Sequence, residues 1–227
     1  MNFKKILINP DSRCFFVGDL HGCYDVFMEK LKSINFDTSK DVVVSAGDLI
    51  DRGEKSLDCL RLLNEPWFHA VCGNHEDMAI DSVVNKCAHT KIMWVKHGGL
   101  WFYKLSDSDQ LDAAEILAEK VTKLPFLIEV ELASGEKIGV AHADIHIDMW
   151  SANKRNIESS EHLKNHVLWS GSRISSIQIM LTGQQGRCVD SFIEGINCMV
   201  FGHTALKESF CYKNCLWIDT GQYMEIN

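Results

Sequence analysis

The chain has 227 residues, of which 46% are hydrophobic and 24% are charged, so we expect one α/β domain that covers residues 1–227. Its 31 acidic and 23 basic residues give a net charge of −8, which argues against the broad basic face of a nucleic-acid-binding protein. Because the sequence shows neither an apolar run of about 18 residues nor the apolar stretch of a secretory signal, we expect a cytoplasmic protein without a membrane partner.

Strand and helix patterns alternate through the first half of the chain. Short apolar runs predict strands over residues 14–17, 42–44 and 68–72, and leucine and phenylalanine spacings predict helices over 24–34 and 56–63. This strand–helix alternation is typical of parallel βαβ units. In such sheets, ligands bind beyond the carboxyl ends of the strands.

The second half changes from helices to strands. Helices are predicted over 76–87 and 109–124, the second ended by Pro125, and a hairpin over 126–132 and 137–142. Later strands are predicted over 199–201 and 216–218. The polar stretch 145–165 is predicted to be a loop that forms a lid or rim. Two sheets packed face to face, with helices outside, would accommodate both the βαβ pattern of the first half and the strand-rich pattern of the second.

The nine cysteines are scattered, and none forms a Cys-x-x-Cys pair. The shortest separation is between Cys211 and Cys215. An odd number without zinc-site spacing favours buried free thiols in a reducing compartment over a disulfide framework or a structural zinc site.

Glycine-flanked polar clusters follow the predicted strands. Four of them pair Asp, Asn or His with glycine, and they cover residues 18–22, 47–53, 73–76 and 202–204. A fifth cluster, residues 141–144, lacks the glycine. Oxygen and imidazole ligands suit hard or borderline divalent metals rather than a soft thiolate site. The chain is therefore predicted to be a metal-dependent hydrolase.

Six side chains from these clusters are predicted to hold two divalent ions. Asp19 and His21 are two residues apart and would point to the same side of an extended strand, and Asp48 could bridge both ions. The predicted ligands are Asp19, His21, Asp48, Asn74, His142 and His203. Two ions can clamp the attacking and leaving oxygens of a phosphoryl transfer and activate a bridging hydroxide, so no covalent nucleophile is required.

Three further residues are predicted to assist the reaction. His75 follows Asn74 directly and could protonate the leaving alkoxide, while Asp51 orients and charges the imidazole. Arg52 could bind non-bridging phosphate oxygens through its planar guanidinium, beside Asn74.

The ordered motifs resemble those of a known superfamily. Gly-Asp-x-His-Gly at 18–22, Gly-Asp-x-x-Asp-Arg-Gly at 47–53 and Gly-Asn-His-Glu at 73–76 are similar to the phosphoprotein phosphatase superfamily of metallophosphoesterases. With the 141–144, 201–204 and 218–221 motifs, the chain resembles the small serine/threonine phosphatases of the bacteriophage lambda type and their bacterial relatives. The resemblance spans residues 14–221.

The resemblance implies a fold, a cofactor and residue roles. It implies a four-layer α/β/β/α sandwich of two mixed sheets flanked by helices, with two divalent ions, usually manganese and otherwise iron or zinc. By position, one metal would be held by Asp19, His21 and Asp48, and the other by Asp48, Asn74, His142 and His203. His75 would be the proton donor with Asp51, and Arg52 would contact phosphate. The implied substrate is a protein or peptide phosphorylated on Ser or Thr, with Tyr and His as open alternatives.

The chain departs from the family at a phosphate-binding position. Relatives usually carry Arg two residues after a Trp, where this chain has Gly171 after Trp169. Only Arg173 remains as a candidate second phosphate ligand in this stretch. A second departure is Cys72, where relatives often have Arg, and it further reduces positive charge near the site. Loss of a charge-assisted contact could cost about 1.5–3 kcal/mol in transition-state binding.

Two alternative functions stay open. A dinucleoside tetraphosphate hydrolase would share the fold, but Asp51 and Glu76 favour the protein phosphatase. A non-catalytic phosphate-binding module is suggested only by Gly171. Trp169 is the tryptophan expected closest to the site. The other histidines are interpreted as surface side chains or as side chains with satisfied hydrogen bonds: His69, His89, His97, His146, His162 and His166. A small reservation applies to His146 and to Asp148, because both closely follow the His142 cluster.

Overall fold

A computed structural model describes residues 2–182 and 191–221, so Cys188 lies outside the described residues. The strands are β1 (Phe3–Leu7), β2 (Cys14–Val17), β3 (Val42–Ser45), β4 (Phe68–Ala70), β5 (Leu127–Glu131), β6 (Lys137–Ala141), β7 (Cys198–Phe201), β8 (Phe210–Tyr212) and β9 (Cys215–Trp217). The α-helices are α1 (Tyr24–Ser33), α2 (Ser56–Arg61), α3 (Asn74–Ala79), α4 (Ala88–Lys96), α5 (Asp107–Glu119), α6 (Trp150–Asn156), α7 (Glu161–Trp169) and α8 (Ser172–Leu181). Short 3₁₀ turns cover Leu62–Asn64, Gly99–Lys104 and Val121–Lys123, and a π-turn covers Ile80–Val84.

The strands form two sheets. The larger has six strands in the order β1-β5-β6-β7-β9-β8, with antiparallel pairs at β5–β6 and β8–β9 and parallel pairs elsewhere. The smaller sheet, β2-β3-β4, is parallel in both of its pairs. The predicted fold of two sheets flanked by helices is confirmed, and only the larger sheet is mixed.

Three apolar cores separate four layers, because successive residues of each strand face opposite sides. The first core packs helices α1, α2 and α5 on Val43 and Phe68 of the small sheet. The second packs α6, α7 and α8 on the outer face of the large sheet, where Phe201 lies. The third lies between the sheets and contains Val44 and Val200. The order of layers is therefore helices, small sheet, large sheet, helices.

The predicted polar lid at 145–165 is wrong. This stretch contains α6 and the first part of α7, and α7 buries Leu163, Val167 and Leu168 against the large sheet. The many polar side chains on the exposed faces of these helices make the short apolar stripe with helical spacing hard to recognise in the sequence. Strand β1 was also not predicted, because Lys4 and Lys5 interrupt its apolar pattern; it pairs with β5 as an edge strand.

The helices of the described part of the chain were compared with the length and hydropathy of a membrane-spanning helix. None of the helices over residues 2–182 and 191–221 is both long enough and apolar enough to cross a bilayer.

Candidate active site

Five strands of the two sheets end at the predicted metal ligands. Asp19 follows β2, Asp48 follows β3 and Asn74 follows β4, all in the small sheet. His142 follows β6 and His203 follows β7, which are neighbours in the large sheet. The ends of both sheets therefore meet at one cluster of polar side chains.

Tight loops with left-handed backbone carry these side chains. The φ angle is +40° at His21, +47° at Asp48, +75° at Asp51, +67° at Arg52 and +65° at His203. Non-glycine residues rarely adopt this conformation, and such strain clusters at functional sites. The loops turn sharply enough to bring consecutive polar residues to the same point.

Two glycines leave room for carboxylates at the site. A Cβ atom at Gly73 would collide with Oδ1 of Asp48, and one at Gly202 would collide with Oδ1 of Asp19. The backbone therefore passes so close to both carboxylates that any side chain would displace them. These cradles explain why glycine stands beside the polar residue in both motifs.

The Asp48 carboxylate lies at the centre of the cluster. Its Oδ2 atom is 3.7 Å from Nε2 of His21, 3.5 Å from Nε2 of His142 and 3.8 Å from Nε2 of His75. Within the described residues, two groups of donor atoms lie within 4.8 Å of one another, and Asp48 belongs to both: His21 with Asp48 and His75, and Asp48 with His142 and His203. One carboxylate thus connects two places where a cation would fit.

The remaining predicted ligands close the cluster. The Oδ1 atom of Asn74 is 2.8 Å from Nε2 of His142 and 3.1 Å from Nδ1 of His203. Asp19 Oδ2 is 3.8 Å from Nε2 of His21, and its Oδ1 accepts the backbone N–H of His203 at 3.0 Å. All six predicted ligands therefore meet in one buried pocket of nitrogen and oxygen donors, which is the donor set that divalent metals accept.

Backbone carbonyls fix the orientation of two of the imidazoles. Nδ1–H of His142 donates to the carbonyl of Ala46 at 2.7 Å, and Nδ1–H of His21 donates to that of Ile50 at 2.8 Å. In each ring Nε2 is then the nitrogen that faces the cluster. Bonds of this kind set the tautomer of metal-ligating histidines.

Burial and charge set the protonation of the ligands. Burial lowers the pKa of His21 to about 4, and burial together with the charge of His142 lowers that of His203 to about 4, so both rings are neutral and able to bind metal. Burial opposes charge on His142, but attraction to Asp48 raises its pKa to about 10. Burial also raises the pKa of Asp19. A cation in the pocket would favour the carboxylate form of Asp19 and the neutral form of His142.

His75 is held by a buried network around Asp51. Nδ1–H of His75 donates to Oδ2 of Asp51 at 2.6 Å, which leaves Nε2 facing Asp48 and Arg52. The indole N–H groups of Trp94 and Trp101 donate to the same carboxylate at 2.8 and 2.6 Å. Burial opposes charge on His75, but Asp48 and Asp51 raise its pKa. The two tryptophans were not predicted from the sequence.

Glu76 is a further residue whose role was not predicted from the sequence. Its carboxylate accepts backbone N–H groups from Asp48 at 2.8 Å, Leu49 at 2.8 Å and Gly73 at 3.0 Å. Burial and then the charge of Asp48 raise the pKa of Glu76 to about 7. Glu76 thus joins the loops after β3 and β4 and fixes the position of Asp48. The acidic end of the Gly-Asn-His-Glu motif was the available signal.

The two arginines of the prediction lie in different surroundings. Nη2 of Arg52 is 3.2 Å from Nε2 of His75, beside the metal ligands. Arg173 is 8% exposed, and its guanidinium binds Oδ1 of Asp144 at 2.7 Å, Oδ1 of Asp148 at 2.8 Å and the carbonyl of Ile145 at 2.9 Å. A phosphate would have to displace these partners, so the contacts of Arg173 assign it to holding the loop after β6.

Two aromatic rings outside the motifs border the cluster. The ring of Trp169 lies 6.4 Å from that of His203, as expected from the sequence. The ring of His97, which was interpreted as a surface or satisfied side chain, lies 6.4 Å from that of His75 and so borders the candidate site. His97 is exposed and follows α4, and no motif signalled its position.

Comparison with known proteins agrees with this geometry. The profile of the family "Calcineurin-like phosphoesterase" matches residues 12–206. The chain belongs to the calcineurin-like phosphoesterase family. It is 36% identical over 212 residues to the serine/threonine-protein phosphatase 2 of Salmonella typhimurium, covering 93% of this chain and 88% of that protein.

Two further matches point to other members of the family. A 64-residue stretch, 27% of this chain and 23% of that protein, is 50% identical to the symmetrical bis(5'-nucleosyl)-tetraphosphatase of Actinobacillus succinogenes. A crystal structure titled as a putative diadenosine tetraphosphatase superposes with a TM-score of 0.63 at 18% identity, covering 98% of this chain and 89% of that chain. This last likeness shows the calcineurin-like phosphoesterase fold alone. The family is hydrolytic and uses divalent metal ions, for which the buried donor cluster contains candidate ligands.

Proposed function

We propose that the chain is a metal-dependent protein phosphatase that hydrolyses phosphomonoesters on Ser or Thr. The observation that carries the proposal is the Asp48 carboxylate, shared by two groups of metal donors, with the His75–Asp51 pair facing it. The near-full-length similarity to a named serine/threonine-protein phosphatase supports the protein substrate over other phosphomonoesters.

The proposed cofactor is a pair of divalent ions, manganese first, with iron and zinc as the other candidates. Asp19, His21 and Asp48 would hold one ion, and Asp48 with Asn74, His142 and His203 would hold the other, because their donor atoms lie close together in these two groups. When bound, such ions lower the pKa of water to about 7 and stabilise charge on the phosphoryl oxygens.

His75 is proposed to supply the proton that the leaving group needs. Asp51 holds Nδ1–H, so Nε2 is directed into the pocket. Asp48 and Asp51 raise the pKa of His75, which favours the protonated, donating form of the ring near neutral pH. Donation from Nε2 to the seryl or threonyl oxygen would prevent an alkoxide from leaving, an effect worth about 10²–10⁴-fold in rate.

Arg52 and Asn74 are proposed to orient the phosphate. Nη2 of Arg52 lies 3.2 Å from Nε2 of His75, so the guanidinium borders the pocket and would donate to the non-bridging oxygens of a bound phosphomonoester. The Asn74 side chain contacts His142 and His203 and would present its amide N–H to the same group.

Manganese-dependent hydrolysis of p-nitrophenyl phosphate and of a phosphoserine peptide tests the enzyme assignment. We expect His75→Asn to lower kcat by about 10²–10⁴-fold, because it removes the proton donor and leaves the predicted ligands in place. His89→Asn, at an exposed position on α4, is the matched control and should keep the parent rate. Equal rates for parent and His75→Asn would refute the assignment.

A dinucleoside polyphosphate hydrolase is the second candidate, favoured by the 64-residue match. Against it stands Asp51, whose carboxylate is fixed by three side-chain donors at His75, Trp94 and Trp101. Comparing kcat/KM for a phosphoserine peptide and for diadenosine tetraphosphate separates the two functions. Preference for the dinucleotide would overturn the protein-phosphatase proposal and leave the metal chemistry intact.

We also propose that residues 1–227 act as one domain in a reducing compartment such as the cytoplasm. The metal donors come from both sheets, which supports a single functional unit. In the described residues, eight cysteines are free thiols, which fits a reducing environment.

A further inference from the structure

Three histidines form a cluster on the rim, outside the metal-donor pocket. His162 and His166 lie one turn apart on α7, and His146 lies in the loop after β6. The ring of His146 is 5.3 Å from that of His162 and 5.0 Å from that of His166, at interplanar angles of 85° and 76°. His146 thus lies between two imidazoles on the same helix face.

These separations match those of histidines that share a metal. Two imidazoles bound to one tetrahedral zinc, with Zn–N near 2.0 Å, have ring centres about 5 Å apart. Within this molecule, His142 and His203 show the same spacing, 5.0 Å at 73°. In the rim cluster, the ring of His146 therefore has this separation from two other imidazoles, those of His162 and His166.

The surrounding charge favours a cation. Asp144 and Asp148 both form ion pairs with Arg173, so one guanidinium is shared by two carboxylates and a net negative charge remains. Oδ2 of Asp144 lies 3.7 Å from Nε2 of His166. A carboxylate beside a ligating imidazole raises its basicity and fixes its orientation.

We propose that His146, His162 and His166 form a second site, for a zinc-type divalent ion that prefers imidazole ligands. The two donor groups that already lie within 4.8 Å, among residues 2–182 and 191–221, both contain Asp48. The donor atoms of His146, His162 and His166 do not form such a group in the structure, so binding of the ion would require rotation about their side-chain torsions. His146 and His162 are exposed, so these rotations meet little packing.

Such an ion would join two segments that lead to the catalytic pocket. His146 lies four residues after His142, and α7 ends at Trp169, whose ring faces that of His203. A metal at the rim would fix the loop after β6 against α7. It would thereby hold the large-sheet half of the pocket in place, and the inference does not depend on which phosphate ester is the substrate.

Zinc uptake measured against matched variants tests the site. Protein kept in manganese buffer is dialysed to equilibrium against micromolar Zn²⁺, and bound zinc is counted by elemental analysis. Because the catalytic pocket can also take up zinc, the decisive quantity is the difference between proteins. We expect His162→Gln and His146→Gln each to bind about one equivalent fewer than the parent.

The control is His89→Gln, an exposed histidine on α4 that should bind as much zinc as the parent. Circular dichroism melting supplies a second readout: added Zn²⁺ should raise the Tm of the parent more than that of His162→Gln. Equal uptake by the parent and both rim variants would overturn the proposal. An equal loss in His89→Gln would overturn it too, because it would show unspecific surface binding. Neither result bears on phosphatase activity, so the two proposals fail separately.

Discussion

At the scale of single residues, hydrogen bonds from two tryptophans fix the carboxylate of Asp51. The six candidate ligands could be predicted because each lies shortly after a strand-like run and all except His142 adjoin a glycine, and the structure brings all six together. Trp94 and Trp101 could not be predicted, because they lie 43 and 50 residues after Asp51 and no local spacing connects them to it. Their bonds keep Asp51 fixed and so determine which nitrogen of His75 faces the pocket.

Removing one of these donors should slow catalysis without removing any predicted ligand. For Trp101→Phe we expect kcat on p-nitrophenyl phosphate to fall at least about tenfold, since a hydrogen bond to a charged group is worth about 1.5–3 kcal/mol. Trp67→Phe is the matched control: it removes an indole donor to Glu65 in the first core. If Trp101→Phe kept the parent kcat, the Asp51 network would have no part in positioning His75.

A substitution at Gly171 is expected to increase activity, in contrast to the loss expected for Trp101→Phe. A Cβ at Gly171 would meet Oγ1 of Thr204 at 3.8 Å and Oγ of Ser175 at 4.0 Å, which are ordinary contacts, and Thr204 adjoins the candidate ligand His203. We expect Gly171→Arg to raise kcat/KM on a phosphoserine peptide by about tenfold or more, equivalent to about 1.5–3 kcal/mol for a charge-assisted contact. Gly171→Gln controls for side-chain length without charge. An unchanged or lower kcat/KM for the arginine variant would contradict the prediction.

At the scale of helices and strands, prediction succeeded where one periodicity dominates. Strands β2, β3 and β7 are short apolar runs, and the β5–β6 hairpin was predicted from its alternating sequence, although both faces of β5 are buried. It failed at α6 and α7 because only a narrow stripe of each is buried, and at β1 because an edge strand needs to be apolar on one face only. Tertiary packing, rather than local preference, decides these three elements.

Asp41 shows how a buried carboxylate can join elements. Just before β3, it accepts hydrogen bonds from the backbone N–H of Arg13, from Nε of the same arginine and from the N–H of Asp37. The Arg13 guanidinium beside Asp41 holds the pKa of that carboxyl below its usual range. The starts of β2 and β3 and the turn after α1 are thereby connected.

The pH dependence of stability follows from the direction of this shift. A carboxyl whose folded-state pKa is depressed stabilises the fold above its unfolded value of about 3.9, and that stability is lost as the pH falls through the folded pKa. Asp41→Asn should therefore lower the urea midpoint at pH 7, and the gap to the parent should narrow below about pH 4. Asp11→Asn, in an exposed turn, is the control. A gap that stays constant down to pH 3 would contradict this account.

At the scale of the whole molecule, the pocket belongs to neither sheet alone. Asp19, Asp48 and Asn74 end strands of the small sheet, whereas His142 and His203 end strands of the large one. Sequence motifs predicted the members of this set, but not the packing of the sheets, since that depends on the inter-sheet core around Val44 and Val200. Ions that bind all of these residues would stabilise the sandwich as well as the reaction.

Metal removal should therefore weaken the fold. Chelation is expected to abolish activity and to lower the free energy of unfolding, by about 2.7 kcal/mol relative to protein held at a free-ion concentration of ~100 times the dissociation constant. Urea unfolding with manganese and with chelator measures the difference. The difference should vanish in Asp48→Ala and persist in Asp58→Ala, a half-buried carboxylate on α2 outside the donor cluster. Identical unfolding curves for the parent in both buffers would contradict it.

The left-handed backbone at His21, Asp48, Asp51, Arg52 and His203 has a consequence for attempts to engineer the protein. Each such conformation costs of order 1–3 kcal/mol for a residue with a side chain, and glycine would relieve it. A library screened only for heat resistance would thus be enriched in glycine at positions with a proposed role in metal binding or catalysis. Thermal stability and catalytic turnover are therefore expected to conflict at these five residues. A selection for thermal stability should also measure hydrolytic activity.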